Sequence, residues 1–288
     1  MHSNGLSEQI RLAAAQRAAP DGTPLKTLTA EQVHVLASNN QLGEKEIEIA
    51  ALAQGVVPLR YARNLKSYTC VDQIRLLNAS AAIVGLGGLG GSVLEILTRA
   101  GVGRLALIDG DRFEEHNLNR QLVCTQARLG DQKAQAAGER ARAINPAVHV
   151  DVHPVYLSDK NALELIGTCD VVLDCLDNII ARFVLAQAAK IAGIPMVSAA
   201  VAGLAGHVTT IFPQDDGLEL IYGPRASVQN GTGAETSLGS LPQTVMLIAS
   251  VESAEALKIL TGHTTELLRN RLWVTDLSSN TFEILSLR

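Results

Sequence analysis

Aromatic residues make up only 3% of this 288-residue chain, with no stripe on which bases would stack, so single-stranded nucleic acid is not an expected ligand. Charge of one sign is scarce as well. The formal net charge is −5 and evenly spread, which gives neither nucleic acid nor an anionic membrane surface a footing. The four cysteines, Cys70, Cys124, Cys169 and Cys175, include no C-x-x-C pair. Neither a disulfide framework nor a tetrathiolate zinc site is therefore expected. Long apolar runs are missing too: VMLIASVESAEALKIL is interrupted by Glu252, Glu255 and Lys258, which argues against a membrane span. The start, MHSNGLSEQIRLAAAQRAAP, is polar and has no apolar signal-peptide centre. A cytoplasmic protein is the expectation.

Hydrophobic residues, by contrast, reach 47%, enough for one large domain with a sizeable core, alone or with an appendage. Residues 1–28, with Pro20, Gly22 and Pro24, read as a loosely attached start. A capping box of Thr29 with Gln32 then opens one helix, and GEKEIEIAALAQG forms a second that ends at Gly55. Residues 1–58 are thus expected to be a small helical appendage, and residues 59–288 the main domain.

From residue 80 the rhythm changes. AAIVG, RLALID, VHVDV, DVVLDC and PMVSAA are short runs rich in Val, Ile and Leu without polar alternation. They alternate with helical patterns such as SVLEILTRAG and NIIARFVLAQAAKIAG. Strands apolar on both faces, alternating with helices, predict an α/β fold with a doubly wound, Rossmann-like, mainly parallel sheet. AGHVTTIFP, RLWVTDL and FEILSL predict later strands, antiparallel at the C-terminal end. Residues 215–240 read as a loop or crossover, and Ser240 with Gln243 as a capping box, with Pro242 in the first turn of a helix ending at Gly262.

Gly85, Gly87 and Gly90 form G-x-G-x-x-G between the first of these strands and its helix. Unpaired amides at that helix start, and the helix dipole, favour a phosphate. Asp109 ends the next strand, where an acid takes ribose hydroxyls. These residues alone suit NAD, FAD or ATP. IDGDRFEEHNLNRQ and GDQK then supply Asn117, Arg120, Gln121 and Lys133. A triphosphate needs more cations than a glycine loop provides, and Arg and Lys are the residues for it. Each has a plainer role open to it: Arg120 pairing with Glu114 or Glu115, Lys133 solvated on a polar helix face, Asn117 capping a short helix. DVVLDCLDN sets Asp174 and Asp177 at a strand's carboxyl end. Asp177 suits magnesium, which takes one or two carboxylates with phosphate oxygens and water; it equally suits the cap of the following helix.

With GLGGLG, DGDRFEEHNLNRQ, GDQK and DCLDN in order and spacing, the chain resembles the ubiquitin-activating-enzyme-like adenylyltransferases, above all the bacterial members that activate sulfur carriers. The likeness runs from RYARN, at about residue 60, to at least Gly262. It implies MgATP binding, a homodimer, and adenylation of the C-terminal carboxylate of a small ubiquitin-like carrier ending in Gly-Gly, with release of pyrophosphate. It implies that Gly88 approaches the phosphates with Gly85, Gly87 and Gly90, that Asp109 takes the ribose, and that Asp111 and Gln121 also line the nucleotide site. Asn117, Arg120 and Lys133 would hold the triphosphate, Asp177 the magnesium, and Arg63 would reach the ATP of a neighbouring subunit.

The chain departs from the family's pattern in lacking the paired C-x-x-C motifs of a structural zinc, so no zinc is expected. Residues 215–242 hold no cysteine, which leaves a covalent carrier–enzyme step there unsupported. Alternatives are the same chemistry on a peptide, small molecule or tRNA nucleoside, a non-catalytic ATP-binding scaffold, and an NAD-dependent oxidoreductase.

Overall fold

The computed structural model describes residues 2–19, 21–228, 231 and 233–287. Residues 229, 230 and 232, within the segment read as a loop, lie outside the described residues.

At the N-terminal end, helix α1 (His2–Ala13) leads into strands β1 (Ala15–Ala18) and β2 (Pro24–Leu28), which pair antiparallel. Helices α2 (Ala30–Asn40) and α3 (Glu44–Leu52) follow, and the short β3 (Val57–Pro58) joins β2 in parallel. The Thr29 hydroxyl and the Gln32 side chain close the expected capping box at the start of α2. Two features differ from the sequence reading. Residues 15–18 pair antiparallel with residues 24–27, and α1 is docked rather than loose: Ile10 is fully buried with Leu28, Val33, Ile47 and Ala51. In α1, Leu6, Ile10 and Ala13 recur at helical spacing and dock it against this cluster.

A second cluster ties this part to the remainder. Tyr61, Leu52, Val57 and Leu77 pack together, Leu77 coming from α4 (Cys70–Asn78). Within it the Tyr61 hydroxyl donates to Glu48 at 3.1 Å and accepts from Asn145 at 2.9 Å.

The main sheet has eight strands in the order β11-β10-β9-β8-β7-β4-β5-β6. They are β4 (Ser80–Val84), β5 (Arg104–Ile108), β6 (His149–His153), β7 (Val171–Asp174), β8 (Met196–Ala202), β9 (Ala205–Ile211), β10 (Arg271–Asp276) and β11 (Thr281–Ser286). The strands β4 to β8 are mutually parallel; β9, β10 and β11 each pair antiparallel. Alternate residues explain the unbroken apolar runs. Ala81 and Ile83 pack into one core with α5 (Gly88–Ala100) and α6 (Lys133–Ile144), while Ala82 and Val84 pack into a second. That second core contains α7 (Ala162–Ile166) and α8 (Ile179–Ala192). Two short helices, α9 (Glu219–Tyr222) and α10 (Glu235–Leu238), lie in the crossover before the long α11 (Pro242–Thr261). α11 starts with Pro242 in its first turn and ends at Gly262 as expected, but its N-cap is Leu241 and no side chain caps it. The capping box read at Ser240 does not form.

The chain runs from β4 outward to β5 and β6, then returns to the other side of β4 for β7. This reversal opens a crevice beyond the carboxyl ends of β4 and β7, the place where doubly wound sheets bind ligands.

Candidate functional site

A cavity of about 400 Å³ occupies that crevice. Its first wall is the glycine loop. Gly85 has φ +88°, a conformation closed to most side chains, and a Cβ there would meet the Cys175 carbonyl at 2.7 Å. Gly90 is tighter: its Cβ would sit 1.7 Å from the Gly85 carbonyl oxygen. Gly87 and Gly88 line the cavity at the start of α5, with Gly87 as its N-cap. No side chain among the described residues caps that terminus, so its amides remain for an anion.

Asp109 braces the loop. One carboxylate oxygen accepts the Leu86 amide at 2.6 Å and the other the Asp111 amide at 2.8 Å. Burial raises its pKa above the usual carboxylate value, against the pull of those amides and of Lys133.

The next wall carries the charges. Lys133, the first residue of α6, is buried rather than solvated, its side chain only 8% exposed. Its Nζ donates to Asp111 Oδ2 at 2.9 Å, and the Tyr156 hydroxyl donates to Asp111 Oδ1 at 2.8 Å. Burial would raise Asp111; the two donors, Lys133 foremost, outweigh it and hold the carboxyl below its usual range. The same contact pushes the Tyr156 phenol up. Arg120 lines the cavity, its guanidinium donating to the His116 carbonyl and the Asn119 side chain. Neither Glu114 nor Glu115 pairs with it among the described residues. Gln121 is buried beside Gly87, and its Oε1 has no hydrogen-bond partner among the described residues.

Asp177 faces the cavity from the turn after β7, exposed and with no ion pair or hydrogen bond among the described residues. The capping role open to it falls to its neighbour: the Asn178 side chain accepts from the Ala181 amide at 3.0 Å. Asp174, by contrast, is fully buried, paired with Arg182 at 2.9 Å and accepting from Ser198 at 2.6 Å. Arg182 also donates to the Leu176 carbonyl and so shapes the Asp177 turn.

Two expected site residues stand apart. Asn117 is buried, but its Oδ1 accepts the Glu114 amide at 3.0 Å, and it opens onto an outer groove rather than the main cavity. Arg63 is exposed and outside both. Tyr156, which no motif announced, lines the cavity and the groove alike. Its only sequence signal was its place three residues past the strand VHVDVH, at the carboxyl edge of the sheet. As for thiols, burial pushes Cys124 up, and burial together with the nearby Glu252 pushes Cys175 far up. Reactive thiols are those with a lowered pKa, and both of these shift the other way.

An unpaired carboxylate opposite a glycine loop and two cations suits a magnesium nucleotide. Among the described residues no three His, Cys, Asp or Glu side chains are grouped as a metal cage; magnesium held largely by phosphate oxygens and water needs none.

Fold and cavity together define a doubly wound, Rossmann-like α/β protein with its main crevice at the switch between β4 and β7. The chain belongs to the ThiF family, whose model matches residues 61–288. It is 35% identical over 195 residues to the sulfur carrier protein adenylyltransferase of Thermus thermophilus, covering 66% of this chain and 72% of that one. To the adenylyltransferase and sulfurtransferase MOCS3 of Drosophila willistoni it is 33% identical over 237 residues, 80% of this chain. That match covers 51% of MOCS3, so the chain spans about half the length of such relatives. The crystal structure of E. coli MccB with ATP shares the fold at a TM-score of 0.65 and 20% identity, over 98% of this chain and 87% of MccB.

Proposed function

We propose that this protein is an ATP-dependent adenylyltransferase that activates the C-terminal carboxylate of a small ubiquitin-like sulfur carrier. The observation that carries the reading is the juxtaposition in one cavity of a glycine-walled helix start, the buried Lys133, Arg120 and the unpaired Asp177. Membership of the ThiF family and the adenylyltransferase names of its relatives support it.

In this reading Asp109 and the apolar strand ends hold the nucleoside, while the α5 amides, Gln121, Arg120 and Lys133 hold the phosphates. The carrier carboxylate attacks the α-phosphorus; the bond to the bridging oxygen breaks, and pyrophosphate leaves with that electron pair. The attacking group is already ionised at neutral pH, so no general base is required. What the protein supplies is position and positive charge where negative charge gathers. Asp177 would hold magnesium, which neutralises phosphate charge when bound. A nucleophile outside the chain then attacks the carbonyl of the acyl-adenylate, and AMP leaves with the electron pair of the broken bond. Cys175, the cysteine that lines the cavity, has its pKa pushed up by burial and does not suit the role. Arg63 would act on the site of a second subunit, in a homodimer.

ATP–pyrophosphate exchange with magnesium, adding small Gly-Gly-ended proteins one at a time, tests this. Exchange with one of them, lowered about 10²-fold or more by Arg120→Ala or Asp177→Ala, is the expected result. Exchange supported only by a peptide or small molecule would move the acceptor and keep the chemistry. ATP binding without exchange under any acceptor would make the protein a nucleotide-binding scaffold.

A further inference from the structure

The sequence motifs place Asn117, Arg120 and Lys133 in one triphosphate set, yet the structure divides them. Asn117 opens onto the outer groove of about 370 Å³, Arg120 lines the inner cavity, and Lys133 borders both. The wall between the two spaces consists of Gly110, Asp111, Lys133 and Tyr156, the residues common to both linings. Tyr156 covers that wall from outside. It is 69% exposed, and its ring lies so close over Gly110 that a Cβ there would come within 2.6 Å of it. A side chain at 110 would displace the ring that carries the phenol to Asp111.

The contacts form a chain. Tyr156 donates to one oxygen of Asp111, and Lys133 donates to the other. The Lys133 amide also donates to the Asp111 carbonyl at 2.9 Å, so the start of α6 and this loop are fixed to each other. The Asp111 side chain itself is about half exposed (49%), and besides Lys133 the phenol is the one side chain that hydrogen-bonds to it among the described residues. Without the phenol, a half-exposed carboxylate has several rotamers open to it, and the lysine it tethers would follow.

We propose that Tyr156 is a positioning residue for Lys133, acting through Asp111 to aim the ammonium at the phosphates of the bound nucleotide. This rests on the adenylyltransferase reading of the same cavity. The hydroxyl, not the ring, carries the role, and it acts on the phosphates, not on the nucleoside. Those two features separate it from a merely structural contact.

The test measures binding of ATP and of adenosine to the full-length chain by calorimetry, adenosine by competition against ATP. Tyr156→Phe keeps the ring over Gly110 and removes only the hydroxyl. The expected result is a loss of ATP affinity of about threefold to tenfold, the net scale of one ordinary hydrogen bond, with adenosine affinity unchanged. Asp111→Asn should show the same selective loss. In the double variant Tyr156→Phe with Lys133→Ala, the phenylalanine should add nothing to the effect of the alanine, because the two act as one unit. Equal losses for ATP and adenosine, or additive losses in the double variant, overturn the proposal. So does an unchanged ATP affinity in Tyr156→Phe when the wild type binds ATP. Failure of the wild type to bind ATP at all would instead overturn the reading of the cavity.

Discussion

At the residue scale the glycine loop shows how close packing, rather than flexibility, explains a motif. Gly85 needs its positive φ, whereas Gly90 needs the absence of a side chain, because helix α5 passes against the Gly85 carbonyl. Gly90→Ala therefore forces backbone against backbone. It should lower the unfolding free energy by about 3 kcal/mol and weaken nucleotide binding; chemical denaturation beside calorimetry checks both, and unchanged stability would mean the loop is looser than its geometry. Asp177 and Asn178 teach a different lesson. Both suit a helix N-cap, and composition alone could not divide the roles. The turn after β7 gives the cap to Asn178 and leaves the carboxylate in the cavity.

At the element scale the junction between α3 and the main sheet turns on one buried acid. Glu48 is completely buried, and burial pushes its pKa from 4.5 up to about 7 although Arg60 and the Tyr61 hydroxyl pull the other way. Between about pH 4.5 and 7 the folded chain thus keeps a proton on Glu48 that the unfolded chain has released. Stability from this group is complete below the lower value and is lost as pH rises through the upper one. Glu48→Gln should flatten that slope, by up to about 3 kcal/mol across the window. Thermal melts of the two proteins from pH 4.5 to 7.5 measure it, and parallel curves would show that Glu48 ionises freely. The same junction explains why the N-terminal helices were read only in outline. Their capping box is local and legible, but the docking of α1 and the hairpin β1–β2 depends on isolated apolar residues meeting from distant positions.

At the scale of the whole molecule, the expected dimer has a test that needs no structure. If Arg63 serves the site of a second subunit, Arg63→Ala and Asp177→Ala proteins should each be inactive alone. Mixed after dissociation and reassociation, they should recover about a quarter of wild-type exchange, since half of the dimers are mixed and each of those holds one intact site. No recovery, with dimers demonstrated by sedimentation, would return Arg63 to its own subunit or to the surface.

What the sequence determined by itself was whatever depends on neighbours along the chain. Unbroken Val, Ile and Leu runs announced strands buried on both faces, and the glycine spacing announced a strand–turn–helix unit. DCLDN announced an acid at a strand terminus. The tertiary structure decided what depends on neighbours across space. It buried Lys133 against Asp111, although its helix is polar in pattern, because β5 and α6 bring positions 111 and 133 together. It turned Asn117 inward to hold its own loop, away from the main cavity. And it carried Tyr156 onto Gly110, a contact between the ends of two strands that no local rule could have placed.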